Sequence, residues 1–488
     1  MKKFPFLKSL CAIVAFCVAV VVASPAQTFT LLTKFNGDNG AWPTFGSLIQ
    51  GLDANFYGTT SLGGVNNTGS VFKITPSGKV TTIYSFCSQV GCADGQIPDD
   101  SLVQTLDGNF YGTTYEGGAS NNGTVFELTP KGELTTLHTF CSESNCADGL
   151  FPYAGLSLAT NGEFYGVTSR REGVTPVYGT VFEMSRLGQL TTLYTFCAQT
   201  NCTDGSSGAR GLILGANGKF YGVTGDGGAH NAGTIFEITT DGEFRTLHSF
   251  NRSDGASPNT LIQATDGNLY GTTFGGGTTN SGVIYELTPA GHFRVLYNFC
   301  SQVNCADGAS PYAPLMEGSD GNFYGTTTFG GASQINQMIL GFGTIFQVTP
   351  AGQFTTLHTF CGGGGDCADG AYPEAGLTQG TDGNFYGTTY GRPQCPGNCG
   401  TVFKVSMGLA PFVEASQNFG RIGHSVNILG NNLTGTTSVT FNGVPATFKV
   451  LSNTFIRATV PSCATSGRIA VTTPAGALSS NTAFQVLP

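Results

Sequence analysis

Six aspartates, Asp94, Asp148, Asp204, Asp254, Asp307 and Asp369, recur at one place in a repeated pattern, each just before a glycine, and Asn39 holds the equivalent place nearest the N-terminus. A ring of carboxylates on one face could bind cations or sugar hydroxyls. The same Asp-Gly is also what an ordinary turn uses, because the side chain bonds to nearby backbone and glycine accepts a left-handed conformation. None of the copies carries the alternating oxygen ligands of a calcium loop. His138, His248 and His358 share one repeat position with Tyr84, Tyr194 and Tyr297. A metal ligand would not interchange with tyrosine in this way, so the expectation is packing with a polar tip. No metal or other cofactor is expected.

Cysteines come as close pairs: Cys87 with Cys92, Cys141 with Cys146, Cys197 with Cys202, Cys300 with Cys305, and Cys361 with Cys367. The two corresponding segments that lack one cysteine lack both, Phe35 to Asp38 and Phe250 to Asp254, and both are shorter. That pattern suits local disulfides in an exported protein. Zinc would need several pairs to converge, which pairs on separate repeats do not. Cys395 and Cys399 are expected to form a sixth pair, and Cys463 is left over.

Catalysis in a repeat protein should rest on residues that break the repeat. Two departures stand out: Ser169-Arg170-Arg171-Glu172, and the Gln334 to Phe342 loop with Met338, Ile339 and Leu340. Exposed apolar residues such as Met338 and Ile339 could mark a contact site, although a drifted copy would look the same. Gln50, Gln104, Gln263, Glu317 and Gln379 fall at a matched position on the first strand of their copies and are expected to line a central channel. The chain has no Gly-x-Ser-x-Gly elbow, His-Glu-x-x-His helix or phosphate loop.

The elements that must position these residues repeat with Tyr57, Tyr111, Tyr165, Tyr221, Tyr270, Tyr324 and Tyr386, whose spacings are 54, 54, 56, 49, 54 and 62 residues. In one copy, Ser101 to Gln104 reads as a short strand, Asp107-Gly108 as a tight turn, and Asn109 to Thr114 as a second strand. Thr124 to Thr129 and Leu134 to Phe140 follow as a third and a fourth, separated by a Pro-x-Gly turn. Four antiparallel strands per period describe a propeller blade. Thr28 to Phe35 matches a fourth strand, whereas the seventh copy stops at its third strand, Thr401 to Ser406. The fold expected is therefore all-β: a seven-bladed β-propeller over residues 27–407 closed by an N-terminal strand, followed by an immunoglobulin-like β-sandwich. Strand parity puts the Asp-Gly and Pro-x-Gly turns on one face, and the glycine-rich loops and long connectors on the other. The longer loops have more room to build a site.

Composition agrees with many short strands and turns: 10% of the residues are charged and 72 are glycine. Lys2, Lys3 and Lys8 precede an apolar run and then small residues, the pattern of a signal peptide over residues 1–26. Its removal would leave 18 basic residues against 30 acidic ones and move the formal charge from −9 to −12. Such a surface disfavours nucleic acid. No later stretch is apolar and long enough to be a transmembrane segment. A secreted or cell-surface location is expected, and a monomer.

From Leu409 the repeat gives way to Val426 to Leu433, Val439 to Gly443 and Ile469 to Gly476. These segments resemble an IPT/TIG immunoglobulin-like domain over 409–488, which implies binding, adhesion or spacing. The copies of Asp-Gly-Asn-Phe-Tyr-Gly-Thr-Thr and Gly-Thr-Val-Phe-Glu-Leu-Thr are similar to those of the GloVer tandem-repeat family, whose members are exported and bring no defined activity. The function expected is a secreted, non-enzymatic binding or adhesion scaffold, with a glycan or a cell-surface protein as partner on the long-loop face. The alternatives are a carbohydrate-active propeller enzyme, a glycosidase or lyase, and a purely structural surface protein.

Overall fold

The computed structural model describes residues 27–169, 178–331, 341–362, 367–391 and 399–487. In the second copy the strands are Val103–Gln104, Phe110–Thr114, Thr124–Leu128 and Leu134–Thr139, hydrogen-bonded in that order. Phe110–Thr114 is buried at every position, because side chains on both faces of the sheet pack against neighbouring sheets. Leu134–Thr139, at the outer edge, is only partly covered. Gly112 pairs with Phe126 across the ladder, and a Cβ on Gly112 would lie 2.7 Å from the Phe126 ring. The glycine of the Phe-Tyr-Gly-Thr-Thr segment is thus the seat of an aromatic ring.

Among the described residues seven such antiparallel sheets follow one another before the C-terminal domain, the fifth with its innermost strand in two pieces. The last is composite: Thr28–Lys34 pairs antiparallel with Thr401–Ser406, so the N-terminal strand supplies its outer edge.

Two interactions fasten each blade to the next. The first is an aromatic stack in which the motif tyrosine of one blade meets the motif phenylalanine of its successor. Tyr57–Phe110, Tyr111–Phe164, Tyr165–Phe220, Tyr270–Phe323 and Tyr324–Phe385 have centroids 4.2–4.4 Å apart. Tyr386–Phe56, at 4.0 Å, joins the seventh blade to the first and closes the ring. At the remaining junction Tyr221 meets Leu269. Stacks of this kind add about 0.5–1.5 kcal/mol each beyond the area they bury.

The second interaction uses the residues expected to line the channel. They line the cavities at the channel, Gln50, Gln104 and Gln379 in one and Gln263 and Glu317 in another, and each also reaches sideways to the inner hairpin turn of the preceding blade. Backbone N–H groups of Leu52, Ala216, Thr265, Ser319 and Thr381 donate to Gln104, Gln263, Glu317, Gln379 and Gln50 at 2.8–3.2 Å. The third and fourth blades carry Leu158 and Leu214 there and lack the staple.

The C-terminal domain folds around Val413, Ile428, Phe441, Ile456, Ile469, Val471 and Phe484. It is seated on the propeller rather than tethered as a free spacer. Phe412 N–H donates to Thr381 O at 3.1 Å, Asn427 Nδ2 to Leu106 O at 3.0 Å, and Gln485 Nε2 to Ala216 O at 3.3 Å. These acceptors lie in the inner turns of the seventh, second and fourth blades, so the domain spans the channel mouth on the tight-turn face. No helix among the described residues is long and apolar enough to cross a membrane.

Phe56 is 1% exposed and sits at the ring-closing junction. Phe56→Ala should cost about 3–5 kcal/mol, read as a lowered urea midpoint; a change below about 1 kcal/mol would show that closure does not depend on this stack.

Candidate functional site

The recurrent aspartates are built into the connectors that carry them. Asp94, Asp148, Asp204 and Asp307 have no exposed surface, and each turns inward to hold its own connector. Asp94 accepts from Tyr84 OH at 2.8 Å, from Ser88 N at 2.9 Å and Oγ at 3.0 Å, and from Gln89 N at 3.1 Å. Asp148 takes Ser142 N, Ser142 Oγ and Glu143 N in the same way. Asp254 and Asp369 keep some exposure, yet both are engaged by a histidine and by backbone N–H groups. A carboxylate so fully used has little left for a cation or a sugar.

The histidine–tyrosine interchange has the same origin. The side chain at that position on the outer strand donates to the connector aspartate: Tyr84, Tyr194 and Tyr297 at 2.7–2.8 Å, His138, His248 and His358 at 3.0–3.2 Å. Either residue supplies a ring to pack and one polar tip. Where Asn39 replaces the aspartate, Thr33 replaces the ring, and Asn36 and Asn39 bond reciprocally instead. Burial pushes the Tyr84 hydroxyl up to about 12, with Ser88 opposing and Asp94 adding to the shift. Burial also lowers His248 against the pull of Asp254. At Asp369 burial works upward, but bonds from His358 and the Cys361 N–H outweigh it and hold the carboxyl low.

All five cysteine pairs of the connectors are disulfides, 87–92, 141–146, 197–202, 300–305 and 361–367. Cys399 is also disulfide-bonded, while Cys395, Met338 and Ile339 lie outside the described residues. Cys463 is exposed and free.

What the long-loop face does offer is a set of side chains at the channel mouth. Pro43, Pro98, Pro152, Pro258, Pro311 and Pro373 recur on the approach to the innermost strands, and the residue after them varies between copies: Thr44, Asp99, Tyr153, Asn259, Tyr312 and Glu374. A repeated frame with one variable position is the signal that could have found them from sequence. Phe45 links opposite sides of the ring, its centroid 5.2 Å from Tyr153 and 4.9 Å from Tyr312, with Phe274 5.4 Å from Tyr312. Tyr115 lies 5.6 Å from Tyr153. Beside this aromatic group, Asp99 accepts from Thr44 Oγ1 at 3.0 Å and from Ser61 Oγ. Burial pushes the Asp99 carboxyl up to about 6; the Ser61 and Thr44 hydroxyls oppose the shift, and Asp100 and Glu116 reinforce it. Tyr390, 5.1 Å from Trp42, is raised by burial and by the negative charges of Glu374 and Asp99. Asn259 spends its amide nitrogen on Thr272 and Pro311, while its buried Oδ1 has no partner among the described residues. No group of three or more His, Cys, Asp or Glu among the described residues could hold a metal ion.

The sequence model of the Gloeobacter/Verrucomicrobia repeat matches residues 18–213, 144–304 and 208–444. The chain belongs to this repeat family. The Gloeobacter/Verrucomicrobia repeats are followed by an IPT/TIG domain matched over 411–486. Comparison with curated proteins finds no match. Among solved structures, the repeat protein is similar to a fungal alcohol oxidase of the AA5 family in complex with copper, at 13% identity and a TM-score of 0.51. That likeness covers 94% of this chain and 99% of the oxidase. At this identity it speaks to the fold, propeller and C-terminal domain together. A Bacteroides thetaiotaomicron protein of unknown function is 14% identical with a TM-score of 0.41, covering 78% of this chain and 76% of its own. A putative oxidoreductase (glucose dehydrogenase) of Thermus thermophilus is 16% identical with a TM-score of 0.38, covering 62% of this chain and 95% of its own.

Two outcomes follow from the connectors and the mouth. Asp94→Asn should destabilise the fold by about 1.5–3 kcal/mol, since it turns a charged acceptor of several hydrogen bonds into an amide, measured by chemical denaturation. Asp99 has a folded pKa of about 6, above the unfolded value of about 4. The native state therefore keeps a proton that the unfolded chain has released, and this contribution to stability is lost as pH rises from about 4 to about 6. Asp99→Asn should flatten that part of the stability profile; an unchanged slope would show that Asp99 titrates normally.

Proposed function

We propose that this protein is an exported, non-enzymatic binding scaffold that holds a glycan at the long-loop mouth of the propeller. The observation that carries the reading is the aromatic group of Phe45, Tyr153, Tyr312 and Tyr115 beside Asp99, Asn259 and Glu374, the last three and Tyr153 and Tyr312 standing at the variable position after the proline. Aromatic faces supply apolar contact to a sugar ring, and a few placed polar groups fix its orientation. The IPT/TIG domain lies across the opposite mouth, so a ligand approaches the axis from the long-loop side. The connector disulfides suit an oxidising compartment and stiffen the rim around this mouth.

A second reading draws on Asp99, whose raised pKa beside Asp100 and Glu116 is the kind of perturbation found at catalytic acids. Under it the same mouth is a carbohydrate-active enzyme site.

A glycan array with the mature protein separates the possibilities. Binding should fall at least about tenfold, or about 1.4 kcal/mol, in Tyr153→Ala and Tyr312→Ala while Asp254→Asn retains it. Turnover of a polysaccharide that disappears in Asp99→Asn would favour the enzyme. Retention by a cell-surface protein with no glycan bound would make the partner a protein.

A further inference from the structure

We propose that the junction between the fourth and fifth blades, on the tight-turn face away from the mouth, is a separate binding cleft for a sugar bearing a carboxylate. Three independent departures from the repeat meet there. First, Leu269 stands where the neighbouring copies put the phenylalanine that stacks on the preceding tyrosine. A recess of about 130 Å³ occupies the place, walled by Tyr221, Leu269, Leu247 and Leu287, with Glu237 and Arg245 at its rim.

Second, the blades stand further apart at this junction. A Cβ on Gly78, Gly132, Gly188, Gly242 or Gly352 would lie 2.2–3.0 Å from a carbonyl oxygen of the preceding outer strand, whereas one on Gly291 would meet nothing within 4 Å.

Third, the polar groups facing the gap are unlike their counterparts. Elsewhere the motif tyrosine donates its hydroxyl proton to a carboxylate, as Tyr57 does to Asp53, Tyr111 to Glu127, Tyr270 to Asp266 and Tyr386 to Asp382. In the fourth blade Asn217 replaces the aspartate and donates to Tyr221 OH at 2.9 Å, so that hydroxyl proton remains unspent among the described residues. Glu237 Oε1 takes both Lys219 Nζ and Arg245 Nε at 2.9 Å. Two cations thus share this one acid, which leaves the guanidinium less than fully neutralised by it.

An O–H donor and a guanidinium over leucine side chains match a pyranose carrying a carboxylate, with the anion on Arg245 and Tyr221 and the ring's C–H face on the leucines. A neutral sugar would forgo the charge-assisted bonds.

The test is calorimetric or NMR titration of the whole protein with D-glucuronate and with D-glucose. Glucuronate should bind saturably, at least about tenfold more tightly than glucose, and more weakly as salt is added. Leu269→Phe restores the repeat residue and fills the recess, so it should abolish binding with the melting temperature kept or raised. Tyr221→Phe and Arg245→Gln should each weaken binding at least about fivefold. Equal binding of the two sugars, no binding of glucuronate, or unchanged binding in Leu269→Phe would overturn the proposal. Tyr153→Ala at the distant mouth should leave glucuronate binding intact, so failure of one site is distinguishable from failure of the other.

Discussion

The stack of a tyrosine on the next blade's phenylalanine is the contact on which the architecture depends. Adjacent residues of a strand point to opposite faces of its sheet. A Phe-Tyr pair on the second strand therefore presents one ring to the blade before and one to the blade after. Repeating the dipeptide commits each blade to two neighbours, and Tyr386 against Phe56 makes the series circular. The glycine that follows is bound to the same geometry, since the aromatic ring of the third strand lies where its Cβ would be. The side-chain staples from Gln50 and its counterparts tie the inner turns in the same direction of travel around the ring.

A frame fastened this way frees its two ends for different uses. On one end the turns are short and uniform, and the IPT/TIG domain is seated across them. On the other end the connectors are long, and the conformation of six of them is held from within by an aspartate and its tyrosine or histidine donor. Disulfides add a covalent clasp to five of these connectors. The carboxylates that look most like a binding ring are thus consumed in making the rim rigid, and rigidity of the rim is what allows the variable residue after each proline to be placed reproducibly at the mouth. The fourth-to-fifth junction obeys the same logic in reverse, because losing one ring from the stack opens space that the other interfaces do not have.

The likeness to the AA5 alcohol oxidase extends over propeller and C-terminal domain together, yet at 13% identity it is a likeness of scaffold. Function on such a scaffold is set by the residues presented at its ends. In this chain the mouth presents aromatic rings with carboxylates set among them.

Blade strands, the closing role of Thr28–Lys34, a C-terminal β-sandwich and the five connector disulfides were legible in the chain itself, from period-two alternation, turn residues, and cysteines five or six apart, while the IPT/TIG assignment rested on resemblance. The aspartates were legible as a pattern but not as a role. Asp-Gly suits a turn and a ligand equally, and only the packed connector shows the carboxylate turned inward onto Tyr84 or His138. Gln50 and its counterparts were legible as a channel lining, and only the tertiary arrangement shows that they also bond to the neighbouring blade, a contact that depends on the twist between sheets. Asp99, Tyr153 and Tyr312 are separated along the chain by whole blades, and ring closure alone gathers them at one mouth. Sequence determined the repeating unit and its order; the closed ring decided which unlike residues of different copies meet, since contacts between copies depend on how blades pack and not on any one copy's pattern.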